Sequence, residues 1–337
     1  MQIVVTGGLG FIGSHTVVEL QNVGYEVIVI DNLSNSSIDV LDGIERITGK
    51  QPIFEQIDLR EKAAVQAFFA KYTEVTGVIH FAASKAVGES VQNPLLYYEN
   101  NIASLVYLLQ ELQKKPEAHF IFSSSCTVYG QAEVMPIAET TPIQAAMSPY
   151  GNTKQIGEEI IADVTKVSGL NAILLRYFNP IGAHPSTEIG ELPIGVPQNL
   201  VPFITQTGMG LRKELSVYGN DYPTVDGTCV RDYIHVVDLA KAHVVALQRL
   251  LDKKNETALE VFNLGTGKGS SVLEVITAFE QVSGQKLPYT IVPRREGDVT
   301  EAYANTEKAN TVLGWKTAAT LEEAIDSAWK WEQKVRR

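Results

Sequence analysis

A tyrosine and a lysine separated by three residues, Tyr150 and Lys154, are the side chains with the clearest acid–base potential in the sequence. On a helix, residues at i and i+4 share one face. An ammonium group close to a phenol favours the phenolate, so we expect Lys154 to lower the pKa of Tyr150. A tyrosine tuned in this way can move a proton to or from a hydroxyl group near neutral pH. Because the chain contains 13 tyrosines, the same spacing also fits an ordinary pair on a helix surface.

Three consecutive serines, Ser123 to Ser125, follow the apolar run Phe120–Phe122. The run predicts a strand, and ligands bind beyond the carboxyl ends of the strands in open α/β sheets. A serine hydroxyl at such a place can hold the reacting oxygen of an alcohol or a sugar. A polar strand end without any ligand is the alternative.

A glycine cluster lies between the β-branched run Ile3–Thr6 and a helical pattern that starts at Phe11. Gly7, Gly10 and Gly13 form the pattern G-x-x-G-x-x-G. Such a cluster gives a tight turn, close approach of the backbone to a pyrophosphate, and close packing of helix on strand. The start of the helix then offers free N–H groups and a positive dipole to the phosphates. A strand before and a helix after are the context that a dinucleotide site requires.

Two acidic residues follow the next predicted strands. Asp31, 18 residues beyond Gly13, can accept a hydrogen bond from the adenosine ribose 2′-OH and would repel a 2′-phosphate, which favours NAD over NADP. Asp58 fits either a contact to adenine or the N-cap of a helix before Leu59. A second glycine turn, Gly265–Ser270, resembles a P-loop, but Gly269 stands where a magnesium-binding Ser or Thr is needed, so we interpret it as a strand-to-helix turn.

Strand and helix patterns alternate along the chain, which predicts a doubly wound, Rossmann-type parallel sheet covered by helices on both faces. The predicted strands are Ile3–Thr6, Glu26–Ile30, Ile53–Ile57, Val78–Phe81, His119–Ser123, Ala172–Tyr177, Glu214–Tyr218 and Val261–Leu264. The predicted helices are Phe11–Val23, Leu95–Leu112, Gly151–Val167, Val237–Leu251 and Val272–Val282, with two more closing the chain.

The sequence pattern changes near Pro180, where prolines and glycines become frequent and long periodic patterns end. We therefore expect residues 1–180 to form the NAD-binding domain, with later segments at about 230–265 returning to it. Residues 181–337 would form mainly a smaller, mixed α/β substrate domain.

Composition limits the function classes. The chain of 337 residues carries a formal net charge of −11, which argues against a nucleic-acid partner. Two cysteines, Cys126 and Cys229, and a start without a secretory signal indicate a reducing, cytoplasmic location. No apolar run approaches the roughly 18 residues of a membrane span. The six histidines form no short ligand motif, so we expect no metal.

The glycine turn Thr6–Gly13, the three serines and the Tyr150/Lys154 pair together resemble the extended short-chain dehydrogenase/reductase family. Four later segments are similar to those of the UDP-glucose 4-epimerases within that family: Ser148–Gly151, Leu175–Pro180, Val230–Val236 and Arg294–Asp298. The resemblance covers nearly the whole chain. It implies NAD-dependent interconversion of UDP-glucose and UDP-galactose through a 4-keto sugar, in galactose metabolism, with NAD retained between turnovers.

The resemblance also implies residue roles. Ser125, 25 residues before Tyr150, would be the catalytic serine, Tyr150 the base for the sugar 4-OH, and Lys154 the ligand of the nicotinamide ribose. NAD contacts are implied for Gly7, Gly10, Phe11, Ile12, Gly13, Asp31, Asn32, Asp58, Leu59, Phe81, Ala82, Lys85, Asn100, Tyr150, Lys154 and Phe178, with Tyr177 also near the nicotinamide. UDP-sugar contacts are implied for Ser125, Tyr150, Asn179, Asn199, Leu200, Tyr218, Arg231, Arg295, Asp298 and Ala302.

Several alternatives remain open within this resemblance. A 4,6-dehydratase would need an Asp-Glu pair after the serine, and here Cys126 and Thr127 follow Ser125, so we exclude it. An epimerase specific for N-acetylated sugars, a dehydrogenase that releases NADH, and a non-catalytic NAD-binding regulator are the other candidates.

Substrate breadth depends on one position. In the family, a small residue at the position of Ala302 goes with acceptance of UDP-N-acetylhexosamines, but a register shift of one residue would place Tyr303 there. The family also dimerises through helices, for which Leu95–Leu112 and Gly151–Val167 are the candidates in this chain.

Overall fold

A parallel sheet of seven strands forms the larger part of the protein in a computed structural model that describes residues 1–115, 117–295 and 298–336. The strands are, in chain order, β1 Gln2–Thr6, β2 Glu26–Asp31, β3 Ile53–Gln56, β4 Val75–His80, β5 His119–Ser125, β6 Asn171–Tyr177, β7 Asn179–Ile181, β8 Leu215–Tyr218, β9 Val230–Arg231, β10 Tyr233–His235, β11 Leu259–Leu264, β12 Ser270–Ser271, β13 Tyr289–Val292 and β14 Glu301–Ala302.

The helices are α1 Phe11–Asn22, α2 Val40–Thr48, α3 Lys62–Lys71, α4 Val87–Gln92, α5 Pro94–Tyr98, α6 Ser104–Leu112, α7 Pro149–Val167, α8 Leu200–Gly208, α9 Val236–Leu251, α10 Val272–Ser283 and α11 Leu321–Val335. Short π-helical turns cover Glu99–Ala103 and Ala309–Leu313, and a 3₁₀ turn covers Cys126–Tyr129.

The order of the large sheet is β11-β6-β5-β4-β1-β2-β3, and every pairing in it is parallel. The direction of strand succession reverses at β1, which lies between β2 and β4. Such a reversal opens a crevice beyond the carboxyl ends of the central strands, where ligands bind in doubly wound sheets. The predicted Rossmann-type architecture is confirmed.

Alternating side chains of the sheet enter two separate cores. Ile3 and Val5 of β1 pack in one core with α1 and α9. Val4 of the same strand packs in the other core with α3 and α6. Because both faces are covered, these strands are continuous apolar runs. Each fully buried aliphatic side chain contributes about 1.5–3 kcal/mol to stability. The sheet is therefore a stable element from which the loops at its strand ends extend.

Two helix predictions need correction. The stretch Leu95–Leu112 is not one regular helix, because the π turn at Glu99–Ala103 separates α5 from α6. Such turns often occur at functional sites, and this one contains the predicted NAD contact Asn100. Of the two helices expected at the end of the chain, only α11 is α-helical. The other is the π turn Ala309–Leu313, which ends at Gly314 in the left-handed conformation.

The strands outside the large sheet form a smaller layer. The short strands β12, β9 and β14 form one sheet, β8 pairs with β13, and β7 pairs with β10. A third apolar core lies beneath them, among α8, α10 and α11. In the described part of the chain, no helix combines the length and apolarity needed to cross a membrane.

Candidate active site

The turn between β1 and α1 leaves no room for side chains. A Cβ atom on Gly13 would lie 2.2 Å from the carbonyl oxygen of Gly7. A Cβ on Gly7 would lie 2.8 Å from the backbone nitrogen of Ala82, and Gly7 has φ +65°. Among the described residues, no side chain caps the N-terminus of α1, which starts at Phe11 after the extended Gly10. The N–H groups of the first helical turn, including those of Phe11 and Ile12, therefore remain available for an anion.

Asp31 connects this turn to the loop after β2. Its buried carboxylate accepts hydrogen bonds from the Leu9 N–H at 3.1 Å, the Leu33 N–H at 2.9 Å and the Ser36 hydroxyl at 2.8 Å. Asp31 thus shapes the loop as a turn residue does. It also lies at the end of β2, where the predicted acceptor for a ribose hydroxyl belongs.

Asp58 lies next to Asn32, whose side-chain amide donates to it at 3.4 Å. The guanidinium of Arg60, 2.7 Å away, lowers the pKa of Asp58 to about 2. The alternative prediction that Asp58 is a helix N-cap is wrong, because α3 begins only at Lys62 with Glu61 at its N-cap. Leu59 is buried in the core beneath this corner.

The remaining predicted NAD contacts lie after β4 and β6 and in the π turn. Phe81 follows β4 and packs against the His243 ring at 4.7 Å, and Ala82 faces Gly7. Asn100 donates to the Ser84 hydroxyl at 3.1 Å. Tyr177 is the last residue of β6, and its hydroxyl bonds to that of Ser123, while Phe178 follows the strand and is buried. These groups border the same crevice, at the carboxyl ends of neighbouring strands.

Tyr150 and Ser125 lie together at this sheet edge. Ser148 caps α7 by accepting from the Gly151 N–H at 3.1 Å, and Pro149 is the first helical residue, so Tyr150 lies in the first turn. The Ser125 hydroxyl accepts from the Thr127 N–H at 3.2 Å and is close enough to Tyr150 to moderate its titration. Burial nevertheless raises the pKa of Tyr150 to about 12.

Lys154 is on the same helix face, with its ammonium 5.9 Å from the centre of the Tyr150 ring. Its Nζ donates to the carbonyl oxygen of Ser123 at 2.7 Å. Burial lowers the pKa of Lys154 to about 8. The predicted lowering of the Tyr150 pKa by Lys154 is therefore wrong for the protein's own groups, because desolvation of the phenol outweighs a cation that is directed towards a backbone carbonyl.

On the opposite side of the crevice, two arginines converge on one carboxylate. Asp298 lies 2.7 Å from Arg295 and 3.7 Å from Arg231. The Arg295 guanidinium also lies over the Tyr218 ring at 5.5 Å. Arg231 is 19% exposed and Arg295 60% exposed, so neither position is a simple core site. Two cations and one anion leave a net positive corner suited to an anionic group. Glu296 and Gly297 of the same motif lie outside the described residues.

Asn199 and Lys85, expected on the substrate and cofactor sides, meet at a third residue, Glu191. Asn199 precedes Leu200, the first residue of α8, and its side chain donates to Glu191 at 2.8 Å. The Lys85 ammonium lies 3.9 Å from the same carboxylate, and burial raises the pKa of Glu191. Sequence reasoning missed Glu191 because no spacing relates it to any motif.

Ala302 is the last residue of β14 and Tyr303 follows it, and the two side chains have different surroundings. Ala302 pairs with Arg231 across the sheet and packs against the cluster that contains Phe178. Tyr303 points to the other side, where a Cβ on Gly269 would lie 3.2 Å from its ring. Asn179 is the first residue of β7, the strand that pairs with β10.

A buried ion pair beneath the serines was also missed. Glu158 accepts from Arg176 Nε at 2.9 Å and from the hydroxyl of Ser124. Glu158 lies one turn after Lys154, so its position on the same face of α7 as Lys154 could have been read from the spacing.

The residues present fit a dinucleotide. The evidence is steric: a Cβ on Gly7 or Gly13 would collide with the backbone of Ala82 or Gly7, so the turn packs tightly as a dinucleotide turn does, and it opens on an uncapped helix start. With an acid–base tyrosine and an arginine corner beside it, this cleft defines a nucleotide-sugar enzyme of the extended short-chain dehydrogenase/reductase class.

Comparisons with known proteins agree with that class. The profile of the family described as GDP-mannose 4,6 dehydratase matches residues 4–328. UDP-glucose 4-epimerase of Bacillus subtilis is 51% identical over 333 residues, which cover 98% of this chain and 97% of that protein.

Solved structures agree as well. UDP-glucose 4-epimerase from Stenotrophomonas maltophila, with bound NAD and formylated UDP-arabinopyranose, matches with a TM-score of 0.96 at 47% identity over 100% of this chain and 99% of that one. The Bifidobacterium longum enzyme in complex with NAD+ and UDP has a TM-score of 0.93 at 47% identity, covering 99% and 98%. The chain belongs to the UDP-glucose 4-epimerase family. The predictions of family, enzyme class and NAD as cofactor are confirmed.

Proposed function

We propose that this chain interconverts UDP-glucose and UDP-galactose by NAD-dependent epimerisation at C4 of the sugar, within galactose metabolism. The observation that carries the proposal is the placement of Ser125, Tyr150 and Lys154 together at the carboxyl end of β5, in the same sheet whose β1 leads into the glycine turn. A nucleotide-sugar diphosphate held at the corner would extend its sugar towards Tyr150.

In the proposed mechanism, Tyr150 removes the proton of the sugar 4-OH while the C4 hydride leaves, which gives a 4-keto sugar. Bound NAD supplies the acceptor of that hydride and, after reduction, its donor. The keto sugar turns its other face towards the same groups. Tyr150 then returns the proton to the 4-oxygen as the hydride returns to C4, so the configuration is inverted and no net oxidation occurs.

The serine and the lysine support this proton transfer. The Ser125 hydroxyl accepts from the Thr127 N–H and lies beside Tyr150, so its O–H can donate either to the phenol oxygen or to the 4-oxygen of the sugar. Lys154 holds positive charge one helical turn from the phenol. A phenol whose pKa burial raises to about 12 is a strong base once it is ionised, and the hydrogen bond with Ser125 favours that ionised form.

We also propose a division of labour along the chain. Residues 1–180, with the returning segment at about 230–265, would bind NAD. This division is supported by β11, which completes the large sheet from residues 259–264. Residues 181–337 would mainly hold the UDP-sugar, with the diphosphate between Arg231 and Arg295 and hydrogen bonds from Asn179 and Asn199.

The direct test is to incubate the purified protein with UDP-galactose, without added NAD, and to measure UDP-glucose by chromatography. We expect equilibration without net NADH. Stoichiometric NADH would indicate a dehydrogenase instead, and no conversion with NAD supplied would refute the proposal.

Tyr150→Phe is the matched variant, since it removes only a hydroxyl. General acid–base groups contribute about 10²–10⁴-fold, so we expect a loss in kcat of that order with NAD content unchanged. Activity near that of the wild type would assign the proton transfer to another group.

A broader substrate range is supported by one observation: the small side chain of Ala302, not Tyr303, faces the cluster around Phe178. We propose that UDP-N-acetylglucosamine and UDP-N-acetylgalactosamine are also interconverted. Ala302→Tyr should abolish their turnover and leave UDP-galactose turnover largely intact, whereas Tyr303→Phe should change neither. Wild-type protein that turns over only UDP-glucose and UDP-galactose would end this extension.

We further propose a cytoplasmic homodimer. The cytoplasmic location is supported by the two free cysteines, Cys126 and Cys229. Dimerisation through the helices around α5 and α7 is supported by adjacent exposed apolar residues of α5, with Leu95 80% and Leu96 39% exposed. Light scattering should give twice the chain mass, and Leu95→Glu should shift it towards the monomer. A monomeric wild type would exclude the dimer.

A further inference from the structure

We infer that Asp232 is a positioning residue that fixes the substrate half of the cleft, through a glycine turn that resembles a phosphate-binding loop. The inference rests on the proposed function, since the residues it positions are the expected ligands of the UDP-sugar. Asp232 lies between β9 and β10 and is fully buried.

The Asp232 carboxylate is the anion that the turn Gly265–Gly269 binds. Its Oδ1 accepts from the Thr266 N–H at 2.8 Å and from the Thr266 hydroxyl at 2.7 Å. Its Oδ2 accepts from the Gly267 N–H at 3.1 Å and from the Ala304 N–H at 3.2 Å. Successive backbone N–H groups of such turns form anion-binding concavities. This turn therefore has the geometry of a phosphate loop, but an internal side chain fills it.

The fit explains the glycine at the start of the turn. A Cβ on Gly265 would lie 2.3 Å from Asp232 Oδ2, so only glycine allows the carboxylate to enter. The glycine-rich sequence that resembles a P-loop is thus required to accommodate the Asp232 carboxylate, an anion that belongs to the protein itself.

The backbone of Asp232 holds the expected substrate ligands. Its N–H donates to the Ala302 carbonyl at 3.0 Å, and its carbonyl accepts from the Asn179 N–H at 2.9 Å. Arg231 precedes it directly, in the β9 strand that pairs with β12 and β14. The arginine proposed to face the diphosphate, the proposed gate residue and the asparagine are therefore linked through Asp232, in addition to the direct pairing of Arg231 with Ala302. The side-chain bond to Ala304 secures the end of the same β14 segment.

Loss of the negative charge at Asp232 should disturb this arrangement even when the volume of the side chain is kept. In Asp232→Asn, the amide NH₂ must face either the N–H groups of Gly267 and Ala304 or the N–H of Thr266, whose hydroxyl can turn to accept from it, so at least one buried N–H loses its acceptor. Buried donors left without an acceptor are costly, more so than the net worth of the bonds themselves. NAD binds on the other side of the crevice, so its affinity should not respond.

The experiment compares the holoenzyme of the wild type with Asp232→Asn, Thr266→Val and Lys268→Ala. Thr266→Val removes one of the four hydrogen bonds to the carboxylate, and Lys268→Ala changes an exposed side chain of the same turn. KM and kcat for UDP-galactose, the Kd of UDP by calorimetry, and the bound NAD per chain are measured for each.

For Asp232→Asn we expect KM and the Kd of UDP to rise about tenfold, which corresponds to 1.4 kcal/mol, with kcat changed less and NAD content unchanged. Thr266→Val should shift the same two quantities in the same direction by a smaller factor, and Lys268→Ala should shift neither. If Asp232→Asn does not fold, Thr266→Val decides.

Unchanged KM and UDP affinity in both Asp232→Asn and Thr266→Val would overturn the inference, as would parallel losses of NAD, UDP affinity and kcat. A wild type that binds UDP and responds to these variants, but does not epimerise, would refute the proposed function and leave the positioning role in place.

Discussion

The two sides of the cleft, each of which we propose to hold a diphosphate, are built by opposite means. The turn after β1 uses backbone, and its glycines are required because a Cβ at Gly13 would lie only 2.2 Å from a carbonyl oxygen. The corner around Asp298 uses side chains, Arg231 and Arg295, that reach it from different segments. A backbone site tolerates almost no change in shape, whereas a side-chain site can lose one member and keep the rest. The formal charge of −11 does not decide either side, because each creates a local positive field.

The largest effect should come from the backbone side. In Gly13→Ala the new Cβ must displace the Gly7 carbonyl, and overpacking of this kind costs about 1–3 kcal/mol or more. We expect the variant to purify without NAD and to melt at a lower temperature, as measured by absorbance after denaturation and by calorimetry.

Gly88→Ala is the matched control, because nothing lies within 4 Å of the added Cβ there. Retention of NAD by Gly13→Ala at the wild-type level would show that the turn is not the rigid element described above.

An intermediate effect is expected on the side-chain side. Hydrogen bonds to charged groups are worth about 1.5–3 kcal/mol, so Arg231→Ala should weaken UDP binding about 10–150-fold with NAD content unchanged. Arg295→Ala should do less, because Arg295 is more exposed and solvent screens its charge.

Calorimetric titration with UDP at two salt concentrations measures both variants, and Arg46→Ala, at a surface ion pair, serves as the control. An Arg231→Ala variant with wild-type UDP affinity would contradict the placement of the diphosphate at this corner.

The smallest effect concerns a buried charge near the boundary of the two sides. Because burial lowers the pKa of Lys154 to about 8 from its usual 10.5, the unfolded chain binds more protons than the native chain between these values. The contribution of Lys154 to the free energy of unfolding should therefore rise with pH across that window.

Urea unfolding of the wild type and of Lys154→Met at pH 7.5 and 10 measures this contribution of Lys154 to the free energy of unfolding. We expect the wild type to gain stability relative to the variant at the higher pH. A difference that does not change with pH would mean that Lys154 titrates at its usual pKa in the native protein.

The glycine turn after β1 could be predicted from the sequence, because its tight backbone packing requires glycine at fixed spacing. Gly7, Gly10 and Gly13 between a strand and a helix leave few other interpretations. The alternation of apolar runs likewise predicted the sheet. The π turn at Glu99–Ala103 had no such signal, since its residues fit a regular helix equally well.

The side-chain side was not readable from spacing, and only family resemblance pointed to it. Arg231 and Asp298 are separated by a long stretch of chain, and their meeting depends on tertiary packing. Glu191 was missed because its contacts, with Asn199 eight residues later and with the distant Lys85, follow no helix or strand spacing. The pKa of Tyr150 was misjudged because spacing shows that Lys154 is near but not that its ammonium is directed to the Ser123 carbonyl.

The late arrival of β11 has a consequence for synthesis. The edge of β6 stays open until residues 259–264 are made, because β11 is its partner in the large sheet. On the ribosome, a nascent chain of 180 residues would carry most of the cofactor turn and its strands, yet would present an unpaired edge to its surroundings. Folding of this sheet is therefore completed only when most of the chain has emerged, and shortened chains that stop before β11 should depend on chaperones or aggregate.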